Sequence, residues 1–341
     1  MKDWIKLDSD FWKLNRPGGM KAALMELRHV RYFLAVAEER NFTRAAARLN
    51  VAQSPLSQQI RKLEREIGVQ LFTRTTRSVA LTHAGQVFYE RMTQLLAAGA
   101  DAVEAARKAD RGELGTLSVG FTGSATYELL PTLMRAYADR YPDVLLDVQC
   151  DMDTPRQVEA LLDGRLAVGV LRPPITADGL TVETLRHEPV VALLAGRHPA
   201  SIQRELDLAD LRDEWFISYN DKPPSVMYQV MKSACAAVGF VPRIRHVVAD
   251  SSALVALVAA DMGVALVPAS LRHLGIRGAT FRPLRSPRLS VPLALAYREP
   301  NVEPLVRRFV EVSRTVVRSL EGAQQPALDP PGEDDRLYID L

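Results

Sequence analysis

Residues 44–68 read RAAARLNVAQSPLSQQIRKLEREIG, two short helical patterns broken at Asn50–Gln53. The second pattern sets Leu56, Ile60, Leu63 and Ile67 at spacings of four, three and four, one apolar stripe of a helix. Ser54, Gln58, Arg61 and Arg65 repeat that spacing on the opposite side. Pro55 fits the first turn of the helix, where a missing N–H costs nothing. Ala45, Ala46 and Ala47 on the preceding helix allow close approach, and Gly68 is a good residue to end the second. A buried seam, a tight turn and an outward second helix are the requirements of a helix-turn-helix.

The outward face suits a major groove. Ser54 and Gln58 are short enough for close approach to base edges, and a glutamine pairs bidentately with adenine. The helix N-terminus attracts phosphate. Beyond the helix, Val69–Gly85 loses the helical period, and β-branched residues flank Arg74–Ser78, which predicts a small β-hairpin with Arg74 and Arg77 at its tip. These arginines, with Arg61 and Arg65, are expected on the DNA backbone. Thr43, Arg44, Gln53, Pro55 and Ser57 complete the candidate DNA-binding set. Composition sharpens this reading. The whole chain of 341 residues carries a net charge of only +2, yet 40–80 holds eight basic residues against two acidic ones. One segment, rather than the whole chain, is therefore built to meet a polyanion.

The helix-turn-helix is flanked by a helix over Leu27–Glu39, with Leu27, Val30, Phe33 or Leu34 and Ala37 on one face, and Asn41 or Thr43 as the cap of the next helix. Residues 1–24, broken at Pro17–Gly19, are expected to be a loosely ordered extension or a start-site artefact. From Thr82 to Arg111 there is no proline, and Phe88, Met92, Leu95, Gly99, Ala102 and Ala106 recur at spacings of three and four. A helix of this length, about 45 Å, outruns a small domain, so its seam is expected to pair with a second copy. Gly112 and Gly115 mark a hinge. Strand and helix patterns then alternate: TLSVGF, a helix starting on Pro131, VLLDVQC, TPRQVEALLDG, LAVGVL, VVALLA, WFIS, SVMYQVMKSACAAVG, IRHVV, SSALVALVAADMG, VALVPAS, VPLALAY and PLVRRFVEVSRTVVRSL. Near-continuous apolar strands predict open, mostly parallel α/β sheets. The acidic, proline-rich stretch 321–341 is expected to be disordered.

Several classes are disfavoured. No run of about 18 apolar residues predicts a membrane span, and the first residues lack the apolar core of a secretory signal, so a cytoplasmic protein is expected. There is no G-x-S-x-G elbow, no Walker A loop and no metal-spaced His or Cys set, and GFTGS lacks the lysine of a phosphate loop. Neither an enzyme nor a bound cofactor or metal is expected. Cys150 and Cys235, the only cysteines, lie in apolar surroundings and are expected to be buried free thiols.

The stretch LRHVRYFLAVAEERNFTRAAARLNVAQSPLSQQIRKLEREIGVQLFTRTTRSVALTHAG resembles the LysR-type transcriptional regulators, in family order and spacing, and the likeness extends from about Met25 to about Leu320. It implies a multidomain fold: a winged helix-turn-helix domain at 25–85, a linker and dimerisation helix with hinge at 86–115, and a two-lobed α/β effector domain of periplasmic-binding-protein type at 116–320. Subdomain I would comprise 116–189 with 293–320, and subdomain II 190–292. It also implies a dimer of dimers through the 86–111 helix and the effector domains, double-stranded promoter DNA and RNA polymerase as partners, and no membrane.

Within the family, GFTGSATYELLP, MDTPRQVEALLDGRLAVGVLRPP and MGVALVPAS resemble the muconate- or benzoate-responsive regulators of aromatic catabolism. By that resemblance Thr122, Gly123, Ser124, Thr154, Arg172 and Pro223 bind a small organic acid. Ser124 and Thr154 would offer hydroxyls near helix N-termini, and Arg172 a fixed cation. The expected function is a ligand-responsive activator of a catabolic operon. A repressor, or a redox-responsive regulator without an organic-acid effector, is the alternative. A solute-binding protein would explain the α/β region alone.

Overall fold

The computed structural model describes residues 26–75, 78–175, 177–220, 224–300 and 302–323. Arg77, Pro223 and the segments 1–25 and 324–341 lie outside the described residues. By its internal contacts the chain forms two units, divided at Ala106/Arg107.

The first unit opens with α1 (Leu27–Glu39), α2 (Phe42–Arg48) and α3 (Gln53–Ile67). Asn41 caps α2, its side chain accepting from the N–H groups of Thr43 and Arg44. Asn50 turns the chain between α2 and α3 in the left-handed region, at φ 53°, a conformation asparagine tolerates better than most residues. Gly68 closes α3 at φ 81°, as its position predicts. Val30, Phe33, Leu56, Ile60 and Leu63 are wholly buried together with Ala45. Three expected core positions are not: Leu27 at the free start of α1, Ile67 at the end of α3 and Ala47 on α2 are exposed. The hairpin is β1 (Phe72–Arg74) with β2 (Val79–Leu81), antiparallel. Replacing Asn41 with Ala removes two acceptor contacts at the start of α2. It should cost about 1 kcal/mol, read as a lower urea midpoint without a change in slope.

α4 (His83–Asp110) runs 28 residues and buries only Gly85 along its length. Val87, Leu95 and Val103 are large apolar residues on it that remain exposed.

The second unit has two lobes. The first contains β3 (Gly115–Phe121), α5 (Gly123–Arg140), β4 (Val144–Gln149), α6 (Thr154–Leu162) and β5 (Val168–Leu171). A long strand, β6 (Leu180–Ala195), leads into the second, built from β7 (Trp215–Tyr219), α7 (Val226–Ala237), β8 (Arg243–Val248), α8 (Ser251–Ala259), β9 (Ala265–Pro268) and β10 (Ala279–Pro283). β11 (Ser290–Arg298) and α9 (Pro304–Ala323) return to the first lobe. β3 pairs in parallel with β4 and β5, and β7 with β8. β11 is antiparallel to β5 and β6, and β6 is antiparallel to β9 and β10. The expectation of mostly parallel sheets is thus corrected to a mixed sheet. The crossing strands that join the lobes are antiparallel to their neighbours.

β6 is also longer than the VVALLA reading. Its first half, Leu180 to Pro189, pairs with β11, and its second half with β9 and β10. α5 starts at Gly123, not at Pro131, which lies inside the helix. Ala125, Leu129, Leu133 and Tyr137 form one fully buried stripe across the proline. Their packing outweighs the penalty of about 3 kcal/mol for an interior proline.

Candidate functional site

On the first unit, Gln53, Ser54, Pro55, Gln58, Arg61 and Arg65 are all exposed on α3, and Ser57 is half-buried. They form one polar face opposite the seam, as their spacing predicts. Thr43 and Arg44 are exposed at the start of α2, where Arg44 donates to the carbonyl of Glu39 at 2.5 Å. Arg74, expected on the DNA backbone, also has a structural partner. Its guanidinium donates to Glu64 at 2.6 Å and lies 5.1 Å from the centre of the Phe42 ring. Glu64 also accepts from the N–H groups of Leu71 and Phe72, at 3.0 and 3.1 Å. This carboxylate therefore ties the hairpin to α3 and sets where the wing stands. Sequence reasoning missed it because its partners lie seven to ten residues away. The signal was an acid inside a basic block.

On the second unit a cleft of about 180 Å³ opens between the lobes. The starts of four helices line it: Gly123 of α5, Thr154 of α6, Val226 of α7 and Ser251 of α8. Each helix start carries a partial positive charge of about half a unit. Thr122, Gly123, Ser124, Thr154 and Arg172 all line this cleft, so the structure brings the described candidates together.

Their hydrogen bonds assign them detailed roles. Thr154 is not a helix cap, since Asp153 holds that position and accepts from the N–H of Arg156 at 3.0 Å. Instead the Thr154 hydroxyl donates to the carbonyl of Arg172 at 2.9 Å. Arg172 is 2% exposed. Its Nη2 donates to Glu188 at 2.5 Å and to the Ser124 hydroxyl at 2.8 Å, and its Nη1 to the carbonyl of Pro292 at 3.3 Å. Ser270 completes the set, its N–H donating to Glu188 at 2.8 Å and its hydroxyl to the carbonyl of Ser124 at 3.1 Å. The fixed cation expected to serve a ligand is balanced by Glu188 on β6. Burial pushes the Glu188 carboxyl up, but the Arg172 charge and the bonds from Ser270 and Arg172 outweigh it and hold it below its ordinary value. Arg172 Nε is buried and has no hydrogen-bond partner among the described residues.

Tyr219, Ser251 and Asp151 were missed by sequence reasoning. The Tyr219 hydroxyl lies 3.0 Å from that of Ser251, and burial pushes the phenol up to about 12. Asp151 adopts φ 54° at the end of β4. A Cβ on Gly123 would come within 2.6 Å of its Oδ1 and 2.8 Å of the Ser251 hydroxyl. Glycine at 123 therefore leaves room for both of these side chains. The cysteines divide: Cys235 is buried as expected, whereas Cys150 is exposed, because it follows the last residue of an edge strand. Burial pushes the Cys235 thiol up to about 12. Among the described residues no helix is long and apolar enough to cross a membrane.

A winged helix-turn-helix joined by a long helix to a two-lobed binding domain defines a ligand-binding transcriptional regulator. Residues 27–86 match the family of bacterial regulatory helix-turn-helix proteins of lysR type, and residues 110–318 match the LysR substrate binding domain. The chain belongs to the LysR family of transcriptional regulators. It is 38% identical over 289 residues to the HTH-type transcriptional regulator AlsR of Bacillus subtilis (strain 168), covering 85% of this chain and 95% of that protein. The crystal structure of full-length CbnR complexed with its target DNA matches at a TM-score of 0.76 and 31% identity, over 86% of this chain and all of that one. The effector-binding domain of BenM with its effector benzoate matches at a TM-score of 0.56 and 27% identity, over 62% of this chain and 96% of that one.

Proposed function

We propose that the chain activates a catabolic operon by binding its promoter through α3 and the wing, and that a small organic acid in the cleft controls it. The observation that carries the effector reading is the convergence of four helix starts on one cleft. That arrangement favours an anion without a dedicated side-chain cation. The Ser124 hydroxyl and the peptide N–H groups that the caps Asp153, Ser225 and Asp250 leave unused are the donors for its carboxylate. CbnR bound to target DNA and BenM bound to benzoate support the same division of labour here. In this reading the winged domain covers 25–85, the linker 86–115, and the two subdomains 116–189 with 293–320 and 190–292. The exposed Val87, Leu95 and Val103 of α4 support pairing of copies along this helix, within a dimer of dimers that presents RNA polymerase with an altered promoter.

The test is fluorescence anisotropy of the full chain on the intergenic DNA upstream of its own gene. Tight binding at 0.15 M salt, at least about a thousandfold stronger than to scrambled DNA, is expected. Benzoate or a short aliphatic acid should shift the DNase footprint. Equal affinity for both DNAs at every salt concentration overturns promoter recognition. An unchanged footprint across the acids overturns the effector reading alone.

A further inference from the structure

The charges lining the cleft do not balance. Arg172 is the only cation among its described lining residues, and Glu188 neutralises it. Two carboxylates line the same space. Asp153 is committed to the start of α6, where it caps Arg156. The other, Asp151, makes no hydrogen bond or ion pair among the described residues. Nearby Asp250 is also satisfied, by the Ser252 hydroxyl at 2.6 Å and the N–H of Ala253 at 2.7 Å. Asp151 therefore stands alone as a carboxylate facing the cleft with its acceptor capacity unused.

Its placement is built rather than incidental. The backbone enters the left-handed region at φ 54° to set it there, which costs energy for any side chain and least for Asp and Asn outside glycine. A Cβ at 123 would come within 2.6 Å of its Oδ1, so glycine there leaves it in place. Burial, and then the charge of Asp250, push its carboxyl above the ordinary value. Asp151 is exposed where it lines the cleft, so a ligand donor can reach it, and no described protein group competes for it.

We propose that Asp151 determines effector specificity: it accepts a hydrogen bond from a hydroxyl or ammonium group of a small monocarboxylate and repels dicarboxylates. This inference rests on the cleft being a carboxylate site. The acid end of the ligand sits among the helix starts and the Ser124 hydroxyl, and the donor end meets Asp151. A second carboxylate on the ligand would meet Asp151 as a like charge, which disfavours ionisation of both. A hydroxyl or ammonium there makes a charge-assisted bond. Between the two donors, the ammonium also neutralises the excess negative charge, so it gains more from Asp151 than the hydroxyl does.

The test is calorimetric titration of the full chain at pH 7 with butyrate, 3-hydroxybutyrate, 3-aminobutyrate, benzoate, 3-hydroxybenzoate and succinate. The variant is Asp151→Asn, which keeps a side chain suited to the left-handed backbone and removes only the charge. In the wild type, 3-hydroxybutyrate and 3-hydroxybenzoate, or 3-aminobutyrate, should bind at least tenfold tighter than the matched acid without the donor, about 1.4 kcal/mol. Succinate should be the weakest. In Asp151→Asn the ammonium preference should vanish and succinate should gain at least tenfold, with butyrate and benzoate unchanged. Equal binding of donor-bearing and donor-free acids in the wild type overturns the role of Asp151 while leaving the carboxylate site standing. So does a succinate affinity that Asp151→Asn does not move. Binding by none of the acids removes the carboxylate reading and this inference with it. An unfolding midpoint for Asp151→Asn within a degree of the wild type shows that the shifts do not come from misfolding.

Discussion

Arg172→Ala lowers the stability of the 107–323 unit by about 3–5 kcal/mol, and the loss comes from the partner it abandons. Arg172 and Glu188 are 2% and 4% exposed and lie 2.5 Å apart. Without the guanidinium, Glu188 keeps the N–H of Ser270 but has no cation, and Ser124 loses the donor to its hydroxyl. Urea unfolding of the full chain should show an earlier transition for this unit alone. Arg172→Met combined with Glu188→Met removes both charges and should recover most of the loss, because a buried ion pair replaced by apolar groups is often neutral. A double variant as unstable as Arg172→Ala contradicts this account. The pH dependence has a definite sign. Folding depresses the Glu188 carboxyl, so its stabilising contribution is fully present above the ordinary carboxylate value near 4.5. It fades as pH falls through the lower, folded value. The wild type should therefore lose more stability on acidification than the charge-free double variant. Ser124, Arg172, Glu188 and Ser270 join residues of both lobes, so Arg172→Ala should also abolish the response to an effector. Basal DNA binding should persist.

The difference between expectation and structure follows the range of the interactions. The helix-turn-helix was legible because its determinants are local: the four-and-three spacing of Leu56, Ile60 and Leu63, the cap at Asn41 and the stop at Gly68. The wing was legible as a hairpin, but not the reason for its position. Glu64 reaches Leu71, Phe72 and Arg74 through the fold, and no period in the chain records that. In the second unit, periodicity located most strands yet not their direction. β6 and β11 run antiparallel to their neighbours because they carry the chain across and back between lobes, which is a property of topology. Pro131 was read as a helix start by a sound local rule and overruled by tertiary packing of Leu129, Leu133 and Tyr137.

The site shows the same division. Thr122, Gly123, Ser124, Thr154 and Arg172 were placed in one cleft by resemblance, and they do line one. Their chemistry depends on partners 16 to 146 positions away, such as Glu188 for Arg172 and Ser270 for the carbonyl of Ser124. The sequence shows a fixed cation at Arg172 but not the counter-charge, which Glu188 supplies through the fold. Asp151 and Asp153 look equivalent in the sequence MDTPRQ and its flank. Only the structure shows one occupied at a helix start and the other unpartnered.

Gln58→Ala and Arg61→Ala should separate base reading from phosphate binding on a single helix face. Both side chains are exposed on α3, and neither is needed by the seam of Leu56, Ile60 and Leu63. Gln58 has one acceptor and two donor hydrogens in a planar amide, which fits the edge of adenine. Its loss should weaken binding to the natural promoter by about 1–3 kcal/mol, roughly five- to 150-fold. Binding to scrambled DNA should not change, nor should the slope of log K against log salt. Arg61 has no ion pair among the described residues, and a guanidinium beside the groove is drawn to phosphate. Arg61→Ala should weaken binding to both DNAs about equally and make the salt slope shallower by about 0.9. Should Gln58→Ala instead reduce both affinities by the same factor, that face binds backbone and the bases are read elsewhere. Glu64 gives an internal comparison. Glu64→Gln leaves the α3 face chemically intact but weakens its tie to Arg74. It should reduce affinity by less than Gln58→Ala, with the loss concentrated in the salt-dependent part. The wing then drifts from the duplex while α3 still reads it.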